Sequence, residues 1–153
     1  MSTDTAEFTL TRQFTLSRDE LWHLLTDAKM RENWGAPEEG QTLTLLTEDF
    51  RRRGIERHRC GDSGPDAFEV ETRWYHINAP TDAVFTESIE AGGQDIATSL
   101  VTYRVTDADE GTQLHVTVAV SSFVGPEATA DFKAGWEQGL NSLDAFIATR
   151  VQA

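Results

Sequence analysis

The sequence predicts an α+β domain in which one curved antiparallel sheet of six to seven strands wraps around a long C-terminal helix. Three observations predict it. Turn-forming clusters recur at 61–66, 78–82, 90–95 and 107–112. The runs between them, of about 8 to 12 residues, are rich in Val, Thr, Phe and Tyr, which is the spacing of an antiparallel meander. The clearest strand runs from Gln113 to Val120, where Leu114, Val116, Val118 and Val120 alternate with His115, Thr117 and Ala119. Near the C-terminus, Phe132, Trp136, Leu140, Leu143 and Ile147 fall on one helical face. A sheet curling around that stripe is the economical way to bury it.

The elements follow in chain order. A strand comes first. Ser17-Arg18-Asp19-Glu20 has capping-box spacing, with Leu16 and Leu21 at the staple positions. A short helix is therefore expected from Arg18 to about Asp27, then a broken turn from Met30 to Trp34. After the meander, Pro126 suits the first turn of a helix running from about Glu127 to Arg150. Gly135 and Gly139 lie near its apolar stripe. Each costs about 1 kcal/mol of helix propensity relative to Ala, so their presence one turn apart predicts a close approach by another segment.

The chain of 153 residues is sized for one domain, expected over residues 7–150 behind a tail of residues 1–6. Four tryptophans and a hydrophobic content of 39% argue for a packed core. Twenty-six acidic against 13 basic residues give a net charge of −13. Such a surface repels phosphate backbones and anionic lipid, so neither nucleic acid nor membrane is an expected partner, the run Arg51-Arg52-Arg53 notwithstanding. No apolar run approaches the roughly 20 residues of a membrane-spanning helix, and the first residues lack a secretory pattern. Cys60 is the single cysteine, which excludes internal disulfides and multi-cysteine metal sites and suits a reducing cytoplasm.

Two stretches carry a resemblance. Phe14-Thr15-Leu16-Ser17, Leu21-Trp22 and Trp34-Gly35-Ala36-Pro37 form the first. Gly111-Thr112-Gln113-Leu114, Phe123 and the run from Gly135-Trp136 through Leu143 form the second. From about Glu7 to Ile147 the chain resembles the SRPBCC superfamily, of START-like, helix-grip fold, in its branch related to the activator of the 90-kDa heat-shock protein ATPase. The resemblance implies a deep cavity between sheet and long helix, with Trp34 and Trp136 near it. The superfamily includes carriers, cyclases and co-chaperone domains and shares no catalytic motif across this branch, so catalytic residues stay unknown.

Charge pairing selects a register for the middle strands. Arg59 opposite Glu69 sets Arg57 opposite Glu71 on the outer face, which turns Glu56, His58 and Thr72 inward. Arg73 opposite Glu87 sets His76 by Val84 and Trp74 by Thr86. The inward set then also holds Trp74, His76, Thr86, Ser88, Ser99, Val101 and Tyr103. Tyr75, Phe85, Ile89 and Leu100 are left outside, as an apolar patch that a sheet-to-sheet homodimer would cover. The alternative is that the middle strands are flipped.

The chemistry readable from these positions is modest. His58-x-Cys60 with His76 and Glu56 is the one grouping of metal-ligating types, and ordinary cavity-lining roles account for it; no metal or cofactor is expected. Cys60 borders a turn with nothing to activate it. Glu56, His58 and His76 are the candidate acid/base groups, because burial shifts a carboxyl upward and imidazole titrates near neutrality. Trp34, Trp74 and Trp136 can stack on a flat ligand, whereas Trp22 is expected in the core. The expected ligand-binding set is Trp34, Glu56, His58, Thr72, Trp74, His76, Tyr103 and Trp136. The leading expectation is a cytosolic domain that binds a small apolar or aromatic ligand. The alternatives are a cofactor-free cyclase, dehydratase or hydrolase with Glu56 or His58 as base, and a co-chaperone-like interaction domain.

Overall fold

The computed structural model describes residues 3–61 and 67–151, so the turn expected at 61–66 lies, beyond Gly61, outside the described residues. Strand β1 (Asp4–Phe14), beginning inside the segment expected as a tail, leads into helix α1 (Arg18–Thr26) and a 3-10 turn (Met30–Asn33). Then come β2 (Leu43–Thr47), β3 (Ile55–Cys60), β4 (Phe68–Asn78), β5 (Asp82–Ala91), β6 (Gln94–Ala108), β7 (Gly111–Ser122) and α2 (Glu127–Val151). The seven strands form one antiparallel sheet in the order β1-β7-β6-β5-β4-β3-β2. The meander is broken once, where β1 crosses to pair with β7. Among the described residues no helix is long and apolar enough to cross a membrane.

Local chemistry accounts for the helix starts. Ser17 Oγ accepts from the Glu20 backbone N–H at 3.2 Å and donates to Glu20 Oε1 at 3.0 Å. The cap closes through the two side chains and not, as in the usual box, through the Ser17 backbone N–H. In α2, Leu140 and Leu143 are fully buried and Trp136 and Ile147 nearly so, while Phe132 is only half-buried, against the expectation of a uniformly covered stripe. The glycines are explained. A Cβ on Gly135 would stand 2.9 Å from the Pro37 side chain, and one on Gly139 would stand 3.4 Å from the Trp34 carbonyl oxygen. The Trp34–Pro37 segment therefore lies directly on the helix backbone, so closely at Pro37 that position 135 has no room for a Cβ, while position 139 would meet ordinary contact.

The β3–β4 register is the one that charge pairing selects: Arg57 faces Glu71 and Arg59 faces Glu69 outside, and Arg57 Nη2 donates to Glu71 Oε1 at 2.9 Å. The β4–β5 register is not. Thr72 faces Glu87, Arg73 faces Thr86 and Trp74 faces Phe85, with a bulge between Trp74 and His76. Phe85 and Glu87 thus turn inward with Ile89, whereas His76, Thr86 and Ser88 turn outward. The reason is energetic. An exposed Arg73–Glu87 pair stabilises by about 0–1 kcal/mol. Burying Phe85 against Trp74, ring centroids 4.8 Å apart, stabilises by about 1.5–3 kcal/mol. The bulge absorbs the extra residue, so His76 still meets Val84 as expected, but on the outside. The apolar patch predicted for a homodimer shrinks to Tyr75 and Leu100, 45% and 48% exposed.

Candidate functional site

The corrected register lays a polar row across the inner face of the sheet. Glu56, Thr72, Glu87 and Ser99 are successive cross-strand neighbours on β3, β4, β5 and β6, and all are buried. Burying charge is costly unless it is paired and hydrogen-bonded. Glu87 is met by Arg31 of the 3-10 turn, whose Nη2 donates to Glu87 Oε2 at 2.6 Å. The guanidinium also lies over the rings of Trp34, Phe85 and Trp136, 5.5 to 5.8 Å from their centroids. Burial works against the Arg31 charge, but Glu87, with Tyr103 and Glu56, outweighs it, and the pKa is raised.

Glu56 is satisfied differently. Its Oε1 accepts from Trp74 Nε1 at 2.9 Å and its Oε2 from the Asp49 backbone N–H at 3.2 Å. Burial still raises its pKa against these bonds. His58 holds the Ala28 carbonyl at 2.9 Å, and because a carbonyl only accepts, Nε2 carries the proton. Burial, then the Arg31 charge, lowers the His58 pKa below the usual histidine value. Three buried hydroxyls of this inner layer, Thr72 Oγ1, Ser99 Oγ and Tyr103 Oη, have no partner among the described residues. Burial pushes the Tyr103 hydroxyl pKa well up.

Beside this row, and bordering it at Glu87, is a pocket of about 500 Å³. Its walls are the N-terminal half of α2, the segment from Arg31 to Leu43, and the inner faces of β3 to β6 toward one end of the sheet. Apolar lining comes from Leu43, Phe68, Val70, Ile89, Ile96 and Phe132; Glu38 and Asp131 are exposed at the mouth. The volume lies within the range of small-molecule sites.

The expected site residues separate into three groups. Trp34, His58 and Trp136 line the pocket. Trp34 is in its buried wall, with Nε1 donating to the Leu24 carbonyl at 2.8 Å. Glu56, Thr72, Trp74 and Tyr103 face inward as expected but are packed in the adjoining layer and do not line the pocket. Trp74 and Tyr103 both pack against Phe85, at 4.8 and 5.0 Å between centroids. His76 is on the outer face, with Nε2 3.7 Å from Asp82 Oδ2, so it cannot share a site with Glu56 and His58. Among the described residues no three metal-ligating side chains converge. Cys60 is fully buried, and desolvation raises its pKa to about 11, far from a reactive thiolate.

Arg31 and Glu87 are the residues that the sequence reading missed. Glu87 had a signal: Ala83, Phe85, Ile89 and Ala91 alternate with outward residues, and Glu87 is the single acid in that apolar period. Arg31 had none, since a four-residue 3-10 turn is too short for a period.

Residues 15–148 match the family described as Activator of Hsp90 ATPase homolog 1-like protein, AHSA1. The chain belongs to this family. The fold agrees with solved structures. A protein from Rhizobium loti is 25% identical, with 95% of this chain and 99% of that one covered and a TM-score of 0.82. A protein from Rhizobium leguminosarum is 20% identical, with 97% of each chain covered and a TM-score of 0.83. An AHSA1 protein from Silicibacter pomeroyi is 22% identical, with 95% and 99% covered and a TM-score of 0.77. No curated protein sequence matches the chain significantly. Within this AHSA1 chain, the Trp34–Pro37 and Gly135–Gly139 stretches that carried the resemblance are the two sides of one contact, and that contact forms a wall of the pocket.

Proposed function

We propose that this AHSA1-family protein, a single domain over residues 7–150, binds one small, largely apolar molecule in the pocket under α2. The observation that carries the reading is a mismatch. Ile89, Ile96, Val70 and Phe132 line about 500 Å³ of space that they leave unfilled. On α2, the small residues Ala128, Gly135 and Gly139 leave room between Phe132 and Trp136. A chain selected for stability alone would close such a space, since unfilled volume is destabilising. A reducing, cytoplasmic location suits the lone buried thiol.

Native mass spectrometry of freshly purified protein tests the reading. A co-purifying small molecule is expected, released on denaturation and absent from an Ile89→Trp variant whose indole fills the pocket. A wild type that is bare and takes up no apolar probe sinks it. The enzymatic alternative keeps His58 as its one candidate base, because Glu56 does not line the pocket. A co-chaperone-like role, suggested by the family description, would use the outer face, where Tyr75 and Leu100 are exposed; Tyr75→Glu should then abolish partner binding and leave ligand uptake intact.

A further inference from the structure

The charges around the pocket are specific about what can enter it. Four charged side chains line it: Arg31, Glu87, Glu38 and Asp131. The cation is already matched, since Arg31 is bonded to Glu87 at 2.6 Å and both are nearly buried. His58 adds no positive charge near neutral pH, because burial and the Arg31 charge hold its imidazole in the neutral form. The remaining charges, Glu38 and Asp131, are both negative and both at the mouth. An anionic ligand would pass two carboxylates and then have to displace Glu87 from Arg31, stranding a buried carboxylate.

The ion pair also has capacity to spare. It is made by one hydrogen bond, Nη2 to Oε2. The second Glu87 oxygen and the other guanidinium N–H groups have no partner among the described residues. An acceptor and donors therefore lie side by side on the pocket wall. They complement a group that itself carries a donor beside an acceptor, of which a carboxamide is the simplest. Resting on the pocket-binding function proposed above, we propose that the ligand is an uncharged, mostly apolar molecule whose amide-like head bridges Arg31 and Glu87, and that the site excludes carboxylates of the same shape.

Calorimetric titration of the full chain with 2-naphthamide and 2-naphthoate tests this, because the two probes share a body and differ in head charge. The amide is expected to bind at least about tenfold more tightly, as like charges brought together in a site are strongly disfavoured. Glu87→Gln, which frees the Arg31 charge, should narrow or invert that ratio. Naphthoate binding as well as the amide in the wild type would overturn the inference while leaving the pocket a ligand site. Failure of both probes up to about 1 mM, an affinity too weak to matter, would overturn the pocket reading itself and this inference with it. A folded Glu87→Gln protein with an unchanged ratio would remove Glu87 as the discriminating group. Should Glu87→Gln fail to fold, Ile89→Trp decides where the amide binds: lost affinity supports the pocket wall, and retained affinity overturns it.

Discussion

The two halves of α2 sit on the same sheet and do opposite things. Its C-terminal half lays Leu140, Leu143 and Ile147 toward an inner face formed on β7 by Leu114, Val116, Val118 and Val120, all at most 5% exposed. Phe8 and Leu10 of β1 complete that side. Its N-terminal half instead intersperses Phe132 and Trp136 with Ala128, Gly135 and Gly139, and a pocket is left between it and one end of β3 to β6. The difference lies in the side chains and not in the topology. Where helix and strand both offer branched apolar groups, they meet. Where the helix sets Ala128, Gly135 and Gly139 between Phe132 and Trp136, and the sheet offers Glu87 and His58 among Val70, Ile89 and Ile96, they stand apart. One half of the protein is a core, and that core holds the other half open as a container.

The largest test of this contrast is the buried ion pair at the container's wall. Arg31→Met should cost about 3–5 kcal/mol, because it leaves Glu87 buried and unpaired. The double variant Arg31→Met/Glu87→Leu should recover most of that loss. Urea unfolding of the two single variants and the double reads the coupling, and a cost for Arg31→Met below about 1 kcal/mol would mean that Glu87 is solvated. Next in size is the helix itself. Leu140→Ala should cost about 2–5 kcal/mol by opening a cavity in the closed half. Phe132→Ala, which trims a half-buried group beside existing space, should cost about 1–2 kcal/mol despite removing more atoms. Equal costs at the two positions would show the pocket collapsed in solution.

The smallest effect concerns pH. His58 has a lowered folded-state pKa, so the unfolded chain holds its proton up to higher pH than the folded one. The stability tied to neutral His58 is therefore lost as pH falls through about 6.5, the unfolded value. His58→Gln can still donate to the Ala28 carbonyl, and it should flatten the fall in stability between about pH 7 and about pH 5.5. Glu56 runs the other way: its raised pKa, caused by burial, lowers stability as pH rises above the unfolded glutamate value. That contribution is common to wild type and variant, so the difference between them isolates His58. A variant that loses stability as steeply as wild type would place the protonation elsewhere.

How much was legible depended on how far each signal reaches. The helix stripe and the capping box are local periodicities, and α1 and α2 formed where these placed them. The β3–β4 register was legible because two charge pairs agreed, Arg57 with Glu71 and Arg59 with Glu69, and a one-residue slip would have broken both. The next hairpin offered a single pair, Arg73 with Glu87, and a bulge that no residue type announces. One surface attraction cannot outweigh the burial of Phe85, and reading it as decisive turned β5 over. A β5 turned over hides Glu87 and places the inward Phe85 and Ile89 on a dimer surface, while His76 is turned outward by the bulge in β4. Arg31 was illegible for a different reason. Its role exists only through Glu87, 56 residues away, and nothing local marks it.

The crossing of β1 to β7 has a consequence in time. Thr9 and Thr117, opposite one another in the sheet, are 108 residues apart in the chain. Each of β3 through β7 pairs with the strand made just before it, so hairpins there can close as the chain emerges. At about 5–20 residues per second, β1 waits roughly 5–20 s for its partner to be synthesised. It is the first strand made and the last placed, and closing so long a loop carries its entropy cost at the end of folding. Until then Phe8 and Leu10 have no surface to cover, and both edges of β1 are unpaired. The alternation of those residues with Glu7, Thr9, Thr11 and Gln13 keeps that waiting strand polar on one side, which discourages it from pairing with a neighbouring chain in the interval.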